Sequence, residues 1–354
     1  MDFAARRPGP DVTRALAMAG VVVMNYVGYS LLRGAERGSG ALDRLFDPWT
    51  GPLSTRFAAT FVVTAGIGVA LMADRAGPER RPEISWRLAS RGLVLYSGGL
   101  LFDFVWPGTI LPFYGAMFVL AAAFVWLRSA AIVAIGIAAA LIGWAVRWWR
   151  LERELDGVST AWLTDPPGRS PRGLVIDVMV NGTHPLLPWL AFFCAGIVAG
   201  RYLSSRHWVP VVAGTGFVMY FASVVVGAAA PTGARASILL SDVSRDRGLV
   251  YAASALGTAL IAVALITAIA DRFEDSAAID ALRRAGQLSL TVYLAHALLY
   301  NLLVDWLEIV APDTLIVSLV FALVTWATIS ALAVAYQRRY GVGPAEWVYR
   351  RLTV

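Results

Sequence analysis

The chain has 354 residues, of which 58% are apolar and only 15% charged, and its formal charge is +6. Soluble globular domains carry about 25% charged residues, so charge this thin excludes a soluble helical core with a solvated face. All thirty cationic positions are Arg, scattered between apolar runs, which argues against a nucleic-acid partner; the single Cys194 excludes an intrachain disulfide and a cysteine-based metal cluster.

The apolar runs are about twenty residues long, enough to cross about 30 Å of hydrocarbon as helix. In chain order they predict spans at 15–32, 57–73, 88–104, 110–127, 130–149, 186–199, 209–230, 250–269, 288–307 and 315–335. The expected fold is therefore an all-α polytopic transmembrane bundle of about ten spans, forming a single domain over residues 1–354. An even count puts both termini on one side. Segments on that side hold eighteen of the thirty arginines, so both termini are expected to be cytoplasmic, in a bacterial plasma membrane. No cleavage-site pattern follows the first apolar run, which is expected to stay in the membrane. Two outer segments are long, 33–56 and about 148–183; the second contains the breaker string Asp165-Pro166-Pro167-Gly168. No internal repeat and no pair of discontinuous spans is visible.

The first span holds the most informative spacing. Ten residues separate Arg14 from Asn25, about 16 Å on a helix, so Arg14 sits at the cytoplasmic face and Asn25 well inside the membrane, nearly on one face. Asp11 lies one turn before Arg14 and can pair with it or cap the helix. Arg14 reads equally as a positive-inside anchor, and Asn25 as a helix–helix hydrogen bond. His296, one turn from Tyr293 in the ninth span, is an ionisable residue inside the membrane, hence a functional candidate or an interhelical hydrogen bond. His184, in Asn181-Gly-Thr-His184-Pro, falls at the outer mouth of the sixth span, as a reactive group or a solvated interfacial one. Asp103, near the outer end of the third span, raises a neighbouring imidazole's basicity, binds an acceptor, or pairs with Arg56 or Arg147. His207 reads as solvated, Cys194 as packing, and the tryptophans near span ends as a belt.

The stretch from Asp11 to Tyr26 resembles the Arg-x10-Asn/His signature of membrane-bound acyltransferases, in the branch of heparan-α-glucosaminide N-acetyltransferases and YeiB-like bacterial proteins. Similar motifs follow in order: Arg56-Phe57 through Gly66-Ile-Gly68, Trp106-Pro-Gly-Thr-Ile-Leu-Pro-Phe-Tyr114-Gly115, and Pro185-Leu-Leu-Pro188-Trp189 to Gly200-Arg201. Gly286-Gln-Leu-Ser289-Leu-Thr-Val-Tyr293 and Gly343-Pro344-Ala-Glu346-Trp347 complete the set. The resemblance implies that cytoplasmic acyl-CoA, typically acetyl-CoA, donates its acyl group to a hydroxyl or amine on a glycan or lipid-linked acceptor. It makes Arg14, Arg87 and Arg91 the candidates to hold the CoA phosphates, Asn25 the group that orients the acyl carbonyl or the base, and requires no metal.

One departure stands out. Active relatives place a His eleven positions beyond the Asn; here that position is Glu36, and residues 33–52 contain no His. His184 and His296 are then the candidate bases, with Asn25 and Asp103 beside them. Three readings follow: an acyltransferase, a small-molecule carrier lined by Arg14, Asn25, Asp103 and His296, or a non-catalytic protein that kept the fold. The bilayer is the expected partner in each, and a homo-oligomer is compatible with all three. The acyltransferase reading expects a pocket joining the arginine mouth to Asn25, with His184 or His296 in reach.

Overall fold

The computed structural model describes residues 7–164, 170–231, 233–244 and 246–353, and the described residues are helical without a strand. Sixteen α-helices run in order: α1 Gly9–Leu32, α2 Ala41–Leu45, α3 Arg56–Asp74, α4 Arg81–Phe102, α5 Leu111–Phe124, α6 Ser129–Leu155, α7 Ala161–Thr164 and α8 Pro171–Ile176. They continue as α9 Leu186–Arg201, α10 Trp208–Ala228, α11 Ala234–Leu239, α12 Leu249–Arg272, α13 Ala277–Gln287, α14 Ser289–Tyr300, α15 Leu315–Tyr340 and α16 Pro344–Leu352. Wide-turn π segments extend α8 over Asp177–Asn181 and α14 over Asn301–Trp306. The breaker string 165–168 lies outside the described residues.

Local chemistry sets several ends. Proline stands in the first turn of α1, α4, α5 and α16, where its missing N–H costs nothing. Ser170, Ser276 and Thr314 accept N-terminal amides of α8, α13 and α15. Gly341, at φ +80°, ends α15.

All ten expected segments fall on helices. Six helices (α1, α3, α6, α10, α12 and α15) are long and apolar enough to cross a membrane, and eight spans result if each of two bent pairs counts as one. The shortfall has visible causes: α5 has only 14 residues, and α4 begins with a charged stretch that includes Arg87 and Arg91. In the first bent pair, 60° separates Pro171–Asn181 from Leu186–Arg201; in the second, 76° separates Ala277–Gln287 from Ser289–Trp306. The first is a break that the sequence did not reveal. The second is a different object, since α13 carries Asp280, Arg283 and Arg284 and suits an interface rather than hydrocarbon.

Helices α1, α3 and α12 form the centre, with 61–67% of their apolar windows buried, while α6, α10 and α15 form the periphery at 17–28%. The outer faces of that periphery are apolar, with Val218 and Leu332 each 66% exposed, as a lipid-facing surface requires. Hydrophobic driving force between helices is weak in lipid, so close packing must come from small residues. Three crossings use facing glycines: Gly66 with Gly196 between α3 and α9, Gly92 with Gly115 between α4 and α5, and Gly216 with Gly257 between α10 and α12. A Cβ at Gly196 would overlap the Val63 carbonyl, whereas one at Gly214 would meet nothing within 4 Å. Gly196→Ala is therefore expected to destabilise by about 1–3 kcal/mol through overpacking, and Gly214→Ala to leave thermal unfolding in detergent unchanged or improved. Equal unfolding temperatures for the two variants would contradict the crossing.

Candidate functional site

About two turns at the end of α1 are joined to the second half of α14 and its π extension by a ladder of polar contacts. Asn25 Nδ2 lies 3.1 Å from His296 Nε2, and the Tyr26 hydroxyl donates to the His296 carbonyl at 2.8 Å. Ser30 Oγ meets the Tyr300 hydroxyl at 3.2 Å, and Arg33 closes the ladder with a two-pronged ion pair to Asp305 at 2.6 and 2.5 Å. Successive rungs, at 25/26, 30 and 33 and at 296, 300 and 305, are three to five residues apart, which keeps these groups along one side of each helix. His296 is 0% exposed and ringed by Tyr26, Trp106 and Tyr293. Asn25 turns toward it from the wall of a cavity.

That cavity holds about 600 Å³. It follows one face of α1 through Met18, Val21, Asn25, Gly28 and Leu32, a helical stripe of about 21 Å. Phe57 and Phe61 of α3, the turn 107–110, Trp189 of α9, Tyr251 of α12 and Tyr293 of α14 complete its walls, and His184 and Arg247 also line it. The body is apolar and the polar groups are few, the usual build of a small-molecule site.

His184 sits in the break between the π turn and α9. Its ring stands edge-on to Trp189 at 4.6 Å, and its Nδ1 lies 2.9 Å from Thr183 Oγ1. The Thr183 hydroxyl donates its single proton to the Gly108 carbonyl at 3.1 Å. Toward the imidazole it can then only accept, so Nδ1 carries the ring proton and Nε2 holds the basic lone pair. Arg247, at φ +52°, donates to the carbonyls of Val180, Asn181 and Gly182 and so ties down the broken segment. Burial of its guanidinium draws its pKa down to about 10.

Of the residues expected from sequence, Asn25 and His184 share the cavity and His296 reaches it through Asn25. Asp103 accepts the Gly108 amide at 2.8 Å, which shapes the turn carrying Pro107 and Gly108 into the cavity wall. Its proposed partners are engaged elsewhere, Arg56 with Ser254 and Pro52, Arg147 with Asp246 and Glu154. None of the three expected CoA-binding arginines lines the cavity. Arg14 pairs with Asp11 at 3.5 Å and reaches the Thr64 carbonyl at 3.4 Å, Arg87 pairs with Glu83 at 3.2 Å, and Arg91 turns to Met72 Sδ at 3.1 Å and the Tyr349 ring. The cavity's inner end at Met18 nevertheless lies one turn, about 6 Å of rise, from Arg14. Glu36 lines a separate cavity of about 350 Å³ between 35–52 and the start of α15, and Cys194 is buried away from both. Arg247 escaped the sequence reading; Thr183 and Tyr293, which also line the cavity, were marked there only as neighbours of His184 and His296.

The fold and cavity define a polytopic helical membrane protein with a deep internal site. Residues 204–354 match the model of a family described as a protein of unknown function (DUF418), which supports the YeiB-like side of the resemblance over that stretch. No match is found among curated proteins. The matched stretch holds His296, Tyr293 and Arg247, while Asn25 and His184 lie before it.

Since the native Cys194 is buried, introduced cysteines report the cavity directly. Val21→Cys and Met24→Cys, on the lining, are expected to react with small methanethiosulfonates, and Val22→Cys, at a position 0% exposed, to resist. Labelling of Val22→Cys as fast as the other two would rule out this cavity.

Proposed function

We propose that the protein is an integral membrane acyltransferase of ten spans with both termini cytoplasmic, moving an acyl group from cytoplasmic acyl-CoA to an outer hydroxyl or amine acceptor. The observation that carries this reading is the cavity along α1, with His184 on its wall and the Asn25–His296 pair at mid-depth. An enzymatic role would fail if both histidines were shut in closed interfaces or faced lipid. His184 is in neither position.

In this reading the donor enters beside Arg14, and its extended arm lies along the apolar face of α1. His184 Nε2 takes the proton as the acceptor oxygen or nitrogen bonds to the thioester carbonyl carbon. As the tetrahedral intermediate collapses, the C–S bond breaks and the CoA sulfur receives that proton from Nε2. The second Asn25 N–H is the candidate donor to the oxyanion. Arg14, Arg87 and Arg91 bind phosphate from the cytoplasmic side, after Arg14 and Arg87 exchange their carboxylate partners for it. The acceptor class is a glycan or lipid-linked group.

A carrier is the second reading, and one observation favours it: the helix break at 182–185 lies against the cavity. Broken helices inside membranes occur where they line a substrate path.

Calorimetry with acetyl-CoA separates the two. Binding is expected, weakened by Arg14→Ala, whereas His184→Gln should leave binding unchanged and cut acyl transfer by about 10²–10⁴-fold, the scale of a general base. No binding across physiological acyl-CoAs would overturn the acyltransferase reading and leave the carrier.

A further inference from the structure

The end of the bundle where α1 begins carries many arginines, and most of the neighbouring ones have acids. Asp280 on α13 pairs with Arg283 at 2.6 Å and Arg284 at 2.8 Å. Glu83 takes Arg80 and Arg87, and Asp271 takes Arg7. Residues 336–352 depart from this pattern. They hold four cations, Arg338, Arg339, Arg350 and Arg351, and one acid, Glu346.

That acid is spent inward. Glu346 is 9% exposed; its Oε1 accepts the Leu290 and Thr291 amides at 2.9 and 3.0 Å, and its Oε2 accepts the Thr291 hydroxyl at 2.5 Å. It thereby caps the start of α14 from a different helix. The four arginines are all exposed, and none forms an ion pair among the described residues. Aromatic and aliphatic groups stand exposed among them. Tyr336 and Tyr340 have ring centres 4.5 Å apart, Arg351 lies 4.2 Å over the Trp347 ring, and Leu352 is 61% exposed. Water disfavours this much bare apolar surface and hydrocarbon disfavours four guanidinium groups. The headgroup layer accommodates both.

We propose that residues 336–352 form a docking surface for anionic phospholipid, with α16 lying in the headgroup layer, Trp347 and Leu352 toward the acyl chains, and the four arginines on the phosphates. Charge complementarity selects the occupant: the surface has no exposed acid of its own, so a lipid with net negative charge gains over a zwitterionic one. No residue of this surface lines the cavity that holds His184, and the proposal does not rest on acyl transfer.

The test uses the full chain, delipidated in detergent and titrated with phosphatidylglycerol or phosphatidylcholine, with bound lipid counted by native mass spectrometry. Phosphatidylglycerol is expected to bind at least about tenfold more tightly, with the preference shrinking as salt rises. Changing Arg338, Arg339, Arg350 and Arg351 together to Gln should abolish the preference, and changing them together to Lys should keep it. Thermal unfolding in phosphatidylcholine checks that each variant folds; if the fourfold Gln variant does not, Arg350→Gln with Arg351→Gln should halve the preference or more. Equal binding of the two lipids by the unaltered protein, or a preference untouched in a folded Gln variant, overturns the proposal. Loss of acetyl-CoA binding with the lipid preference intact would bear on the proposed reaction alone.

Discussion

A helix that stops inside a bundle leaves carbonyl oxygens with no amide to accept, and in a bilayer no water stands by to replace them. After the π turn at Asp177–Asn181, the carbonyls of Val180, Asn181 and Gly182 all turn to the Arg247 guanidinium. Each buried acceptor left unmade costs about 1–3 kcal/mol, so this one side chain sets whether the break can exist. The break in turn presents His184 to the cavity, and the Thr183–Gly108 bond ties it to the turn that Asp103 shapes. Cavity wall, imidazole orientation and the entry to α9 thus depend on a cation outside every candidate set the sequence suggested.

The bundle itself was legible because its signal is local. Twenty-residue apolar runs need no knowledge of partners, and each run lies on a helix. Arg14 and Asn25 were legible for the same reason, both being fixed by helical spacing on α1. Their destinations were not. Asn25 meets a histidine 271 residues away, and Arg14 turns aside to Asp11 and Thr64. The break before α9 was not visible in the sequence, because the carbonyls of Val180, Asn181 and Gly182 are satisfied from residue 247, far along the chain. Asp103 stood out as a carboxylate near a span end; that one of its oxygens accepts an amide five residues on was not legible there.

The same geometry explains how a bundle with so little charge keeps its helices in register. Glycine pairs bring backbones together at three crossings, where lipid offers no competing drive to separate them. Polar ladders then choose the rotation: along α1 and α14, Asn25, Tyr26, Ser30 and Arg33 each find a partner on one stripe. A rotation of α14 by one residue would break all four contacts at once.

The cap that Glu346 places on α14 has a consequence for biosynthesis. Fifty-six residues separate Leu290 from its acceptor, roughly 3–11 s of translation at about 5–20 residues per second. During that interval the first amides of the helix bearing Tyr293 and His296 lack this acceptor. The helix that gives the cavity Tyr293 is therefore joined to Glu346 only after α16 has been made, so this contact is among the later ones the chain can form.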